Sequence, residues 1–244
     1  MTSATTADTY NTAIGYAAGT AVTTGVQNTL IGGSAGDALT TGVGNVAVGY
    51  LALSTEDAHG TNTAIGRGAF QTMNAGADGY SVAIGFNAGV NVTTGTFNTL
   101  IGALAGDALT TGTNNVALGQ AALGAADGSE SKNVAIGVNA LASMNANGNN
   151  NNTAVGYDAG VAVSSGHSNT LIGMQAGNNI TTGDNNIVIG KIADTSAVGV
   201  DNETVIGTTT TTSALVHGLK QPVIAASANV AAAAAFPNSI FNFS

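Results

Sequence analysis

Apolar and polar positions along this chain recur every 17–19 residues, a spacing that neither a single helix nor one long strand produces. Each unit closes on an Ile, Val or Leu followed by Gly, and these pairs end at Gly15, Gly32, Gly49, Gly66, Gly85, Gly102, Gly119, Gly137, Gly156, Gly173, Gly190 and Gly207. With the glycine as position 0, Asn stands at −4 in ten of twelve units, Ser81 and Glu203 being the exceptions. Ala stands at +3 in eleven of twelve, with Thr210 as the exception. The unit reads N-[TV]-[AL]-[IV]-G-x-x-A-[GL], and in half the units a T-T-G or S-S-G element follows, seven residues before the next repeat glycine.

A helix-turn-helix repeat needs about 33 residues or more, so a unit this short is one coil of a β-solenoid. β-branched residues flank a small one and then Gly interrupts, which suits a short strand and a turn. Two strands and two turns would consume the unit, with coils stacked at the inter-strand spacing of about 4.8 Å. Eleven steps then make a rod of roughly 50 Å. A second period lies above the first. Similar segments begin at Asn11, Ser81 and Asn152, and each is followed by NTLIG, so a block of four coils of about 70 residues is present three times. The expected organisation is a connector or cap over 1–10, an all-β solenoid over 11–212, and a cap, trimerisation or docking segment over 213–244. In that last segment Phe236, Phe241 and Phe243 call for burial.

Stacking explains the asparagines. Asn11, Asn28, Asn45, Asn62, Asn98, Asn115, Asn133, Asn152, Asn169 and Asn186 fall above one another and can form an amide ladder along the rod. Strand alternation sends positions −3 and −1 to one face and −2 to the other. The larger residues at −1 and −3 (Ile14, Ile31, Val46, Val82) read as the inner set, and −2 (Ala13, Leu30, Ala47, Leu100) as the outer set. Both sets are apolar, and a strand apolar on both faces is covered on both. A narrow coil has nothing of its own to cover the second face, so a homo-oligomer bundled about the rod axis is expected.

Composition sharpens this. Only 7% of residues are charged, 35 are Gly, and the net charge is −9 with four Lys/Arg. Nucleic acid is not an expected partner, since binding it rests on basic residues. No apolar run approaches the ~18 residues that cross a bilayer, so membrane insertion is not expected either. Cysteine is absent, which removes thiol chemistry. The opening MTSATTADTYNTAIG has no basic start and no apolar stretch, so no leader is expected.

Catalysis finds little support in the residues. His59, His167 and His217 are far apart along the rod, so they form no triad or cluster together. Asp37 and Asp107 occupy the same place in duplicated blocks and read as solvated turn residues. The chain is expected to be no enzyme, with no cofactor and no metal. Adjacent rather than alternating threonines, in rows that break every third and fourth coil, also argue against an ice-binding array. The informative irregularities are four connections without T-T-G: STEDAHGT (54–61), QTMNAGADGY (71–80), GAADGSESK (124–132) and ASMNANGNNNN (142–152). Loops on rigid scaffolds carry function. His59, Tyr80, Asn149 and Asn150 are therefore the receptor-contact candidates, with a host glycan as the expected ligand.

The repeat N-[TV]-A-[IV]-G-x-x-A over about residues 9–212 resembles the head domains of YadA-type trimeric autotransporter adhesins, and equally the repeats of bacteriophage tail fibres. That resemblance implies a left-handed parallel β-roll, three chains side by side, and attachment to a surface. No basic neck, coiled-coil stalk or anchor barrel accompanies the repeats, which favours a phage tail fibre on the virion. The implied partners are its own copies, other fibre or tail components, and a host glycan. The alternatives are a bacterial surface adhesin head and an architectural, self-assembling filament without a ligand.

Overall fold

The computed structural model describes residues 8–208 and Thr210, all within the compact unit that ends at Thr211. The expectations for the segment 213–244, and for most of the connector over 1–10, lie outside the described residues. The rest is a single parallel β-solenoid. Twelve three-residue strands, from β1 (Thr12–Ile14) to β12 (Thr204–Ile206), form one sheet in sequence order. Register is strict: each repeat position pairs with its equivalent in the next coil, as in Thr12 with Thr29 and Ile14 with Ile31. Coils are numbered here by their repeat glycine, from Gly15 (coil 1) to Gly207 (coil 12).

Each coil has one strand, not the two that its length suggested. The other half of the coil still donates backbone hydrogen bonds to its neighbour, for example Gly19 N–H to Ala35 O and Thr23 N–H to Thr40 O. Its dihedrals are not extended. Positions −5, +2 and +4 lie in the left-handed region in coil after coil, as at Gln27 (φ 61°), Ser34 (φ 53°) and Leu53 (φ 51°). Three such bends per coil wind the chain tightly and leave no straight stretch for a second strand. The repeat glycine itself sits near φ 135°, as at Gly102 (φ 136°), a conformation open in practice only to glycine. A methyl group on Gly102 would also collide with the carbonyl of Gly119 one coil on.

The two faces of the strand are reversed from the sequence expectation. Position −2 points inward: Leu30, Ala47, Ala64, Ala83, Leu100 and Leu171 are all 0% exposed. Positions −3 and −1 point outward and are half-buried to exposed. Size misled the assignment, because the interior of so narrow a coil takes Ala and Leu, while the bulkier β-branched residues stand outside. The asparagines carried the correct signal, since −4 and −2 share a face. The core is completed by the alanines at +3 and by a third inward row at +7, containing Val22, Leu39, Met73, Val92, Leu109, Met144, Val163 and Ile180.

The Asn row is buried and forms a ladder of a particular kind. Each Oδ1 accepts the backbone N–H of the next Asn, as Asn28 Oδ1 does from Asn45 (2.9 Å). Except at Asn62 and Asn133, Nδ2 donates to the carbonyl of position −7 in the next coil, as Asn28 does to Gly42 (2.8 Å). Direct amide-to-amide bonds occur at two steps, from Asn115 to Asn98 (3.1 Å) and from Asn133 to Asn115 (3.3 Å). Ser81 maintains half of the pattern: its Oγ accepts from Asn98 N–H (3.1 Å) and donates to Gly79 O within its own coil. Below it, Asn62 Nδ2 has no partner among the described residues.

Replacing Asn98 with Ala strands two buried backbone groups, the N–H of Asn115 and the carbonyl of Gly112. Orphaned groups cost about 1–3 kcal/mol each, so Asn98→Ala is expected to destabilise by about 2–6 kcal/mol in denaturant titrations. Asn98→Ser retains a hydroxyl acceptor and is expected to cost less.

Candidate functional site

Position −7 organises the surface chemistry. In the T-T-G and S-S-G coils it is glycine, and the reason is proximity rather than dihedral: a methyl on Gly25 would clash with Gly42 O. Besides the terminal coils, where Asp8 and Val200 stand at −7, four coils break the glycine rule with His59, Asp78, Glu130 and Asn149. They fall in two adjacent pairs, coils 4 and 5, then coils 8 and 9. Four coil steps separate the pairs, about 19 Å at the inter-strand spacing. Three of these four coils are one or two residues longer than the 17-residue unit, and the irregular loops become two polar stations on one edge of the rod.

The first station is braced across coils. Asp78 Oδ1 accepts from Gly60 N–H (2.9 Å). Glu56 Oε1 accepts from His59 N–H (3.1 Å) and lies 3.3 Å from His59 Nδ1, while Glu56 Oε2 accepts from Ala75 N–H (3.2 Å). Glu56 occupies the inward +7 row between Leu39 and Met73, and it is 0% exposed. A carboxylate in that row was not foreseen, although its register seven residues after Gly49 would have disclosed it. His59 is half-buried, and Asp57 beside it is exposed. Glu56, Asp57 and His59 each bring a ligand atom within 4.8 Å of the others. The histidines do remain apart from one another in sequence, but a mixed cluster forms around His59.

The second station has different contents. Asn147 Oδ1 accepts from Ser129 N–H (2.9 Å), and an isolated parallel bridge joins Ser131 to Asn149. Glu130 is 0% exposed; its Oε2 accepts from Gly128 N–H (2.9 Å) and its Oε1 has no partner among the described residues. Asn149 is exposed, as a receptor contact must be. Asn150 is not: it is 0% exposed, accepts from Asn133 Nδ2 (3.1 Å) and donates to Ala146 O. Its assignment as a receptor contact is corrected to a structural one. It sits in the place that Gly79 holds one block earlier, which is why Asn133 finds a partner and Asn62 does not.

Tyr80 is 55% exposed, and its ring stacks on Phe97 of the next coil (centroids 5.4 Å apart, planes 10° from parallel). Phe97 went unremarked in the sequence, yet both residues hold position −5, and equivalent positions stack. A further cation–π contact places Arg67 5.3 Å from the ring centre of Phe86 at position +1. Among the described residues the ion pairs involve only histidine, His59 with Glu56 and His167 with Asp184. No helix among those residues is long and apolar enough to cross a membrane. No protein-family model, curated protein or solved structure matches this chain.

Two carboxyls are displaced from their ordinary range. Burial pushes Asp107 up, against the lowering effect of its own backbone N–H and that of Ala108. Burial likewise raises Asp194, opposed by the N–H groups of Thr195 and Asn179. Asp107 is therefore half-buried rather than the solvated turn residue expected. A raised folded value means that this group favours the fold below its unfolded pKa and loses that contribution as pH rises through the folded value. At pH 7 its charge is a small penalty, reduced further by solvent. Asp107→Asn is expected to raise the thermal midpoint slightly at pH 7 and not at pH 3, where both side chains are neutral.

Proposed function

We propose that this chain is a structural and receptor-binding segment of a fibre, with YadA-head-like coils assembled as a parallel homotrimer, and that its place is a bacteriophage tail fibre on the virion. The observation that carries this reading is the outward strand face. Positions −3 and −1 are apolar or Thr along the whole rod, and Ile14 (60%), Leu118 (44%), Ile172 (39%), Ile187 (41%) and Ile206 (52%) are conspicuously exposed in the single chain. A continuous apolar face about 50 Å long exceeds what a monomer leaves in water. Equivalent faces of parallel copies would cover one another. The polar stations and the Tyr80–Phe97 stack would then be rigidly spaced contacts for a host glycan, with Asn and Tyr groups suited to sugar hydroxyls.

Two experiments separate assembly from attachment. Light scattering on a sizing column is expected to give about three times 23.6 kDa, and Ile101→Glu on the outward face is expected to lower that mass without unwinding the coil. A monomer would remove the covering role of the apolar face. For attachment, replacing 54–61 and 71–80 with T-T-G-type connections is expected to abolish adsorption to a glycan surface while the mass stays unchanged. Adsorption that survives the exchange would refute the station reading and leave only the architectural role.

A further inference from the structure

We propose that Glu56, Asp57 and His59 form a divalent transition-metal site, complete within one loop of one chain. The argument begins with Glu56. Every other described member of its inward row from Val22 to Ile180 is apolar, and Glu56 is as buried as they are. A buried carboxylate is costly unless a positive charge or several hydrogen bonds compensate it. Two backbone N–H groups reach it, but no Lys or Arg pairs with it among the described residues. Its remaining neighbour is His59 Nδ1 at 3.3 Å. With its hydrogen on Nδ1 the ring donates to Glu56; with the hydrogen on Nε2, Nδ1 and the carboxylate present two lone pairs to one point, where a cation would bind both.

Asp57 provides the third ligand. It is exposed, and its carboxylate makes no hydrogen bond among the described residues, so it is free to turn. The three ligand atoms lie within 4.8 Å of one another. Tetrahedral zinc at ordinary bond lengths needs donors about 3.3 Å apart, a contraction that rotation of Asp57 can supply. The surrounding backbone is held on both sides. Asp57 O accepts from the N–H of Thr40 and Thr41 in the coil before, His59 O accepts from Asn45 Nδ2, and Glu56 reaches Ala75 in the coil after. Such bracing supplies the orientation that outer partners give to metal ligands. One imidazole and two carboxylates suit zinc and its neighbours, whereas calcium takes six to eight oxygen ligands. Three protein ligands leave a position open to water.

The test uses the tag-free full chain after chelator treatment, titrated with Zn2+ alone in a calorimeter and followed by thermal unfolding. One saturable ion per chain is expected, with a rise in the unfolding midpoint and weaker binding as pH falls and protons compete for His59. Loss of an outer partner alone weakens metal sites by about 10–100-fold, so Asp57→Asn is expected to weaken binding by about tenfold or more and His59→Ala to abolish saturation. His167→Ala and His217→Ala are expected to change nothing. Asp57 bonds to nothing through its side chain, so its variant stays folded and keeps the test decisive. Absence of saturable binding, or binding indifferent to Asp57→Asn and His59→Ala, would overturn the site.

Discussion

Everything in this rod depends on stacking the same backbone upon itself at one inter-strand step. At that spacing, two groups of each coil cannot reach a partner through the strand ladder: the N–H at −4 and the carbonyl at −7. In most coils both are satisfied by a single asparagine from the coil before. Asparagine suits the position because one short side chain offers an acceptor and a donor together. Serine reaches only one of the two targets, as Ser81 does. At Glu203, in the last regular unit, a carboxylate replaces the amide and accepts from Ser196 N–H (2.8 Å).

The same stacking sets the rest of the composition. Backbones that approach so closely require glycine at the repeat position, and a cross-section this narrow takes alanine at +3 and −2 with leucine where space allows. Little interior volume remains, so the core gains through length rather than width, coil by coil, as in other one-dimensional repeat folds. Charge finds little room in such an interior, which fits a chain with only 7% charged residues.

Period, coil count, strand position and the asparagine row were legible in the sequence because strict register makes each a vertical repetition. Which strand face is internal was equally encoded, through the shared parity of Asn28 and Leu30, but residue size pointed the other way. Single departures were harder to see. Glu56 looks like one acid in a polar loop until its register against Leu39 and Met73 is counted, and Asn150 looks like one more exposed amide in NNNN. Handling each irregular loop as an insertion hid the fact that its residues still occupy rows. Phe97 was missed for the same reason, since its partner Tyr80 lies 17 positions away in sequence and one step away in the rod.

Block duplication gives the two stations a further meaning. Coils 4 and 5 and coils 8 and 9 hold equivalent places, separated by one block of four coils, on the same scaffold rows. Their frames correspond while their contents differ: His59 and Asp78 against Glu130 and Asn149 at −7, Glu56 against Ala126 in the inward row, Gly79 against Asn150 beside the ladder. Where copies must only stack, as in the NTLIG coils, they have stayed nearly the same. Stacking tolerates change only where the backbone escapes the glycine constraint, and those coils are where the two blocks have diverged. A rigid rod with interchangeable polar stations at fixed spacing can alter what it contacts without altering how it folds.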